Sequence, residues 1–140
     1  MDSLFFTEEH IAIRDMVREF ADSNIVPVAR TLDETGEFPK DLVEKMSELG
    51  LMGIIVPEQY GGAGLDMVAF ATAIMELGRA DASVAITMAA HTSLGTLPLL
   101  LFGNEDQKNT YLPKLASGET LSAFGLTEPD HGSDPGGMTT

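Results

Sequence analysis

The sequence predicts a mainly α-helical fold: a helical bundle fills most of the chain, and the first strand of a following β-rich unit ends it. Three observations carry this. Apolar residues recur at i, i+3, i+4 and i+7, the spacing of one helix face. Helix caps, glycines and prolines punctuate those runs at helix length. After Gly118 the pattern becomes that of a strand.

The elements follow in order. The first helix starts after Thr7, an N-cap, with Glu8 and Glu9 facing the positive end of its dipole. Ile13, Met16, Val17, Phe20 and Ala21 mark its apolar face. Pro27 lacks an N–H, so it kinks or restarts the helix. A second short helix runs to about Glu34 and ends at Gly36. Pro39 fits the first turn of a third helix, whose Leu42, Val43, Met46 and Leu49 face inward until Gly50 closes it. Gly61, Gly62 and Gly64 then mark a backbone that turns tightly or approaches something closely. A fourth helix spans about Asp66 to Arg79, and a fifth starts at about Ala82 and is broken by Gly95 and Pro98. Asn104 caps a sixth, with Glu105 and Asp106 in its first turn and Gln107 placed to reach back. That helix ends near Pro113, and Gly118 completes the exit. Residues 120–127 read as a strand and 128–137 as a loop. The domain reading is therefore a helical unit at 1–118 and the start of a β-unit at 119–140.

Composition narrows the function. The chain has 140 residues, 44% of them hydrophobic, which allows a real core and excludes a disordered chain. A net charge of -14 argues against nucleic acid, whose binding needs Lys and Arg at the phosphates. It leaves open a phosphate-bearing ligand held by backbone N–H groups. Without cysteine there is no disulfide or thiolate metal site, and His10, His91 and His131 lack metal-ligand spacing. His91 reads as a hydrogen-bonded core histidine. The eight Met residues read as core filling, and the many acids as a solvated face. Met1, Asp2, Ser3 and Leu4 do not resemble a targeting peptide, so a cytoplasmic location is the expectation. Residues 82–104 carry no formal charge and are long enough to span a bilayer. Thr87, His91, Thr92, Ser93 and Thr96 interrupt them, and acids flank them, so a helix buried on all sides in a protein core is the better reading.

The chemistry concentrates in Phe124, Gly125, Leu126, Thr127, Glu128, Pro129, Asp130, His131, Gly132 and Ser133. A strand delivers Thr127, and a turn then presents Gly132 and Ser133. Such a turn can aim backbone N–H groups at one point, while Gly132 admits a phosphate and Ser133 adds a hydroxyl donor. By these rules alone the segment is either a phosphate cradle or a plain strand-to-loop connection built from turn residues, and the plain connection is the commoner outcome.

Gly125-Leu126-Thr127-Glu128, then Gly132-Ser133-Asp134 and Gly137, closely resembles the acyl-CoA dehydrogenase signature. Pro57-Glu58-Gln59-Tyr60-Gly61-Gly62, the run from Phe102 to Lys108 and the run from Tyr111 to Glu119 follow the same family's order. The resemblance covers nearly the whole chain. It implies an N-terminal helical domain, a middle β-domain and a C-terminal four-helix bundle, with FAD between the last two. It implies that residues 124–133 line the flavin, with Thr127 beside the ring, Gly132 and Ser133 beside the pyrophosphate, and Ser133 also touching acyl-CoA. The implied reaction removes an α-proton and a β-hydride from the thioester and yields a trans-2-enoyl-CoA. The carboxylate base comes from the C-terminal bundle, so no catalytic residue is expected in this chain, and Glu128 is given a framework role. An electron-transfer flavoprotein as acceptor, and a dimer or tetramer of the full-length protein, are implied likewise. Two departures stand out: His131 occupies a position where the family usually has a small residue, and no basic residue follows Met138. Rival readings are a related acyl-CoA oxidase or flavin monooxygenase, and a non-enzymatic helical interaction module.

Overall fold

A computed structural model describes residues 6–140; the reading of Met1, Asp2, Ser3 and Leu4 lies outside the described residues. Helix α1 (Glu8–Phe20) starts where Thr7 predicts it. The Thr7 hydroxyl accepts from the His10 amide at 3.3 Å, and the Thr7 amide donates to His10 Nδ1 at 3.1 Å. Histidine here fills the place that Glu or Gln takes in the usual capping box. A π-helical turn, Ala21–Ile25, links α1 to α2 (Val26–Thr35), which places Pro27 in its first turn. The widened turn moves aside the carbonyl that the proline ring would strike, so the chain restarts without a sharp break. Gly36, at φ 68°, closes α2 in the left-handed region.

Helix α3 (Lys40–Glu48) buries Leu42, Val43 and Met46, but Leu49 is exposed, because the helix has ended and the chain turns away at Gly50. After the glycine-rich turn comes α4 (Met67–Ala80), capped by Asp66. Helix α5 (Ala82–Ala89), a π-helical turn (Ala90–Thr96) and α6 (Leu97–Phe102) form one continuous helical run. The expected break at Gly95 and Pro98 does not occur, since the π turn again accommodates the proline. Helix α7 (Glu105–Ala116) has the expected Asn104–Gln107 capping box. It runs through Pro113 rather than ending there: one lost amide donor is outweighed by burial of Leu112, Leu115 and Ala116.

The main core gathers Val17, Ile25, Met46, Met52, Leu77 and Met88 between α1, α3, α4 and α5. A smaller cluster of Val56, Tyr60, Leu112 and Ala116 sits under α6 and α7. Arg18 and Glu76 clamp α1 to α4 through paired contacts of 2.9 and 2.6 Å. Arg79 extends the chain of charges, reaching Glu76 at 3.3 Å and Asp22 at 2.6 Å. Hydrogen bonding from Arg18, then from Arg79, holds the Glu76 carboxyl below the ordinary carboxylate range.

The helical run from Ala82 to Phe102, 21 residues, is long and apolar enough to cross a membrane by length and composition. It is buried on one side only, against the expectation of burial on all sides. Val84, Ala85 and Met88 are buried, whereas Ile86, Leu94, Leu101 and Phe102 are exposed. Met67 and Met75 are exposed as well, so methionine serves the core at Met46, Met52 and Met88 but not throughout.

The strand predicted at 120–127 is not formed among the described residues. Ladder hydrogen bonds need a second strand, and none lies alongside. The segment is irregular backbone, followed by a bridged turn between Glu128 and His131 and a short 3₁₀ turn at Pro135–Gly137.

Candidate functional site

The segment 124–133 leaves the helical body through a small buried node. His91, 1% exposed, sits in the π turn. Its Nε2 donates to the Leu115 carbonyl at 3.1 Å, and its Nδ1 accepts from the Ser122 amide at 3.1 Å. A carbonyl can only accept and an amide can only donate, so these partners fix the Nε2–H tautomer. The His91 carbonyl accepts from Ser122 Oγ at 2.8 Å and from Thr96 Oγ1 at 2.9 Å. His91 is thus the hydrogen-bonded core histidine expected from sequence. Its partner Ser122 carries no signal in the sequence, because the contact joins residues far apart in the chain.

Burial pushes the His91 imidazole down from its ordinary value, and the Leu115 contact offsets this in part. Above pH about 6.5 both the folded and the unfolded imidazole are neutral. Below it the unfolded chain takes up a proton that the fold refuses. His91 therefore contributes stability at neutral pH that is lost as pH falls from about 6.5 towards the depressed folded value. Urea midpoints at pH 7.5, 6.5 and 5.5 are expected to fall less steeply in His91→Asn than in the parent. Equal slopes would show that His91 is not the group responsible.

Beyond Ser122, residues 123–127 make no hydrogen bond to other described residues, and Phe124, Gly125, Leu126 and Thr127 are exposed. The turn then closes by reciprocal backbone bonds between Glu128 and His131, at 3.1 and 3.2 Å, with Pro129 and Asp130 at its tip. The Glu128 carboxylate accepts from the Thr139 and Thr140 amides, both at 3.0 Å. Contacts from Thr140, then from Thr139, hold it below the ordinary carboxylate range. Glu128 therefore braces the loop, the framework role read from sequence. The His131 ring lies against Gly137, where an added Cβ would come within 2.6 Å of Nδ1.

The Gly132 and Ser133 amides and the Ser133 hydroxyl have no hydrogen-bond partner among the described residues. A Cβ at Gly132, or at Gly125, would meet nothing within 4 Å. Free donors beside open space fit a phosphate-bearing group. Residues 119–140 contain no Lys or Arg, so backbone dipoles and one hydroxyl would carry that contact. Among the described residues no cluster of His, Asp or Glu fits a metal ion.

Comparison with known proteins identifies the family. The sequence model described as acyl-CoA dehydrogenase, N-terminal domain, matches residues 7–119. An acyl-CoA dehydrogenase of Bacillus subtilis is 53% identical over 134 residues, which are 96% of this chain and 35% of that protein. The solved structure of an acyl-CoA dehydrogenase complexed with FAD from Bacillus anthracis matches with a TM-score of 0.87 at 44% identity, over 94% of this chain and 23% of that one. A chain in the structure of the electron transferring flavoprotein of Acidaminococcus fermentans matches with a TM-score of 0.92 at 39% identity, over 96% of this chain and 36% of that one. The chain thus spans about a third of the length of the curated relatives it matches.

Proposed function

The chain belongs to the acyl-CoA dehydrogenase family, and on that premise we propose that it serves as the N-terminal part of an FAD-dependent enzyme that oxidises an acyl-CoA thioester to the trans-2-enoyl-CoA. Residues 1–118 form the helical domain in this reading, and 119–140 begin the β-domain. The observation that carries it is the run of unpaired donors at Gly132 and Ser133, facing open space within the family's motif. FAD, when bound, supplies the two-electron oxidation. This chain's residues bind and orient. The Gly132 and Ser133 amides and the Ser133 hydroxyl would hold the pyrophosphate, and Thr127 would contact the flavin ring. Phe124 and Leu126 present exposed apolar surface that would exclude water from that ring. Ser133 would also touch the acyl-CoA. In this reading the proton acceptor comes from outside this chain, and Glu128, which accepts from the Thr139 and Thr140 amides, keeps a framework role. Electron-transfer flavoprotein as acceptor, and a homodimer or homotetramer, complete the proposal.

Ser133→Ala tests it in the complete gene product. Losing one donor to a charged acceptor costs about 1.5–3 kcal/mol. Flavin or acyl-CoA affinity is therefore expected to fall about ten- to a hundredfold. Gly132→Val is expected to cost more affinity while leaving the fold intact, because the chain itself leaves that position open. Unchanged flavin dissociation and turnover in Ser133→Ala would remove the site.

A further inference from the structure

Ser122 stands two residues before Phe124 and is the last hydrogen-bonded residue before the free stretch 123–127. It is seated against Gly95: a Cβ there would lie 2.0 Å from Ser122 Oγ and 2.2 Å from Ser122 Cβ. Gly95 is not in the left-handed region, so its lack of a side chain serves this close approach rather than a special backbone angle. The Ser122 amide donates to His91 Nδ1 and its hydroxyl to the His91 carbonyl, where the Thr96 hydroxyl joins it.

We propose that His91, Ser122 and Gly95 form a latch that sets where segment 124–133 leaves the helical body, and thereby where its flavin-facing donors stand. The latch rests on the reading of 124–133 as a flavin wall. Its members touch neither flavin nor substrate and are positioning residues. Among the described residues, none from 123 to 140 hydrogen-bonds back to the helical body, so Ser122 is the last tie between the two. In the complete gene product, with 120–127 read as the first strand of the β-domain, a shift of about an ångström at residue 122 is carried along that strand to Thr127, and a site loosened by that much loses affinity.

The test uses the complete gene product, titrated with FAD. Gly95→Ala displaces Ser122 and is expected to weaken FAD binding about tenfold and to alter the bound flavin's absorption band, with far-ultraviolet circular dichroism unchanged. Ser122→Gly removes both clashing atoms and is expected to weaken binding about threefold. The double variant Gly95→Ala/Ser122→Gly is expected to match Ser122→Gly alone, since the added methyl then fills vacated space. A melting-temperature loss in Gly95→Ala with unaltered FAD affinity and spectrum would overturn the latch, as would losses that multiply in the double variant. If Gly95→Ala does not accumulate folded, Ser122→Ala replaces it: about threefold weaker FAD binding supports the latch, and unchanged binding overturns it. A parent protein that binds no FAD would instead overturn the flavin reading, and the latch with it.

Discussion

Gly62→Ala is expected to destabilise the fold by about 3 kcal/mol or more, the upper range for overpacking a closed site. A Cβ at Gly62 would sit 2.0 Å from the Val56 carbonyl oxygen and 2.4 Å from Val56 Cβ. Val56 is fully buried and cannot move aside, and its carbonyl is tied to the Gly64 amide at 2.8 Å. The neighbouring Gly61 makes the control. It lies at φ 82°, with nothing within 4 Å of its missing side chain. Gly61→Ala therefore carries only the cost of a left-handed alanine, about 1–2 kcal/mol. Thermal or urea unfolding of the two variants separates steric exclusion from backbone strain. Equal losses would mean that the approach of residue 62 to Val56 does not govern this turn.

Leu77→Ala is expected to cost about 2–5 kcal/mol. Leu77 is fully buried in α4, within the cluster that joins α4 to α1 and α5. Removing its branched end loses burial and leaves a cavity that three packed helices can close only in part. Against a typical total of about 5–15 kcal/mol, that is a substantial share of the stability. Leu77→Met keeps the volume and is expected to stay within about 1.5 kcal/mol of the parent. Urea midpoints read both. A loss under about 1 kcal/mol in Leu77→Ala would place the core elsewhere.

Local chemistry is the legible part of this sequence. Thr7 and Asn104 signal helix starts because a cap works within one turn, and both cap as expected. Gly36 and Gly50 signal helix ends for the same local reason, each adopting the left-handed angle that glycine favours. The run from Phe124 to Ser133 is legible as a motif, and the brace made by Glu128 spans only a dozen residues. Punctuation fails where packing competes with it. Pro98 and Pro113 do not end their helices, because a π turn absorbs the first and the burial of Leu115 and Ala116 outweighs the second. The segment 120–127 has β-like composition but no strand partner among the described residues, and pairing is not a property of one segment. The His91–Ser122 node, the Arg18–Glu76 clamp and the contact of His10 with Asp66 join residues 31, 58 and 56 positions apart. Helices, their caps and the family motif are thus readable from the residues alone, since their signals lie within a few positions of one another. Which polar groups meet, and how the site segment is anchored, follow from packing, because those contacts exist once distant helices have come together.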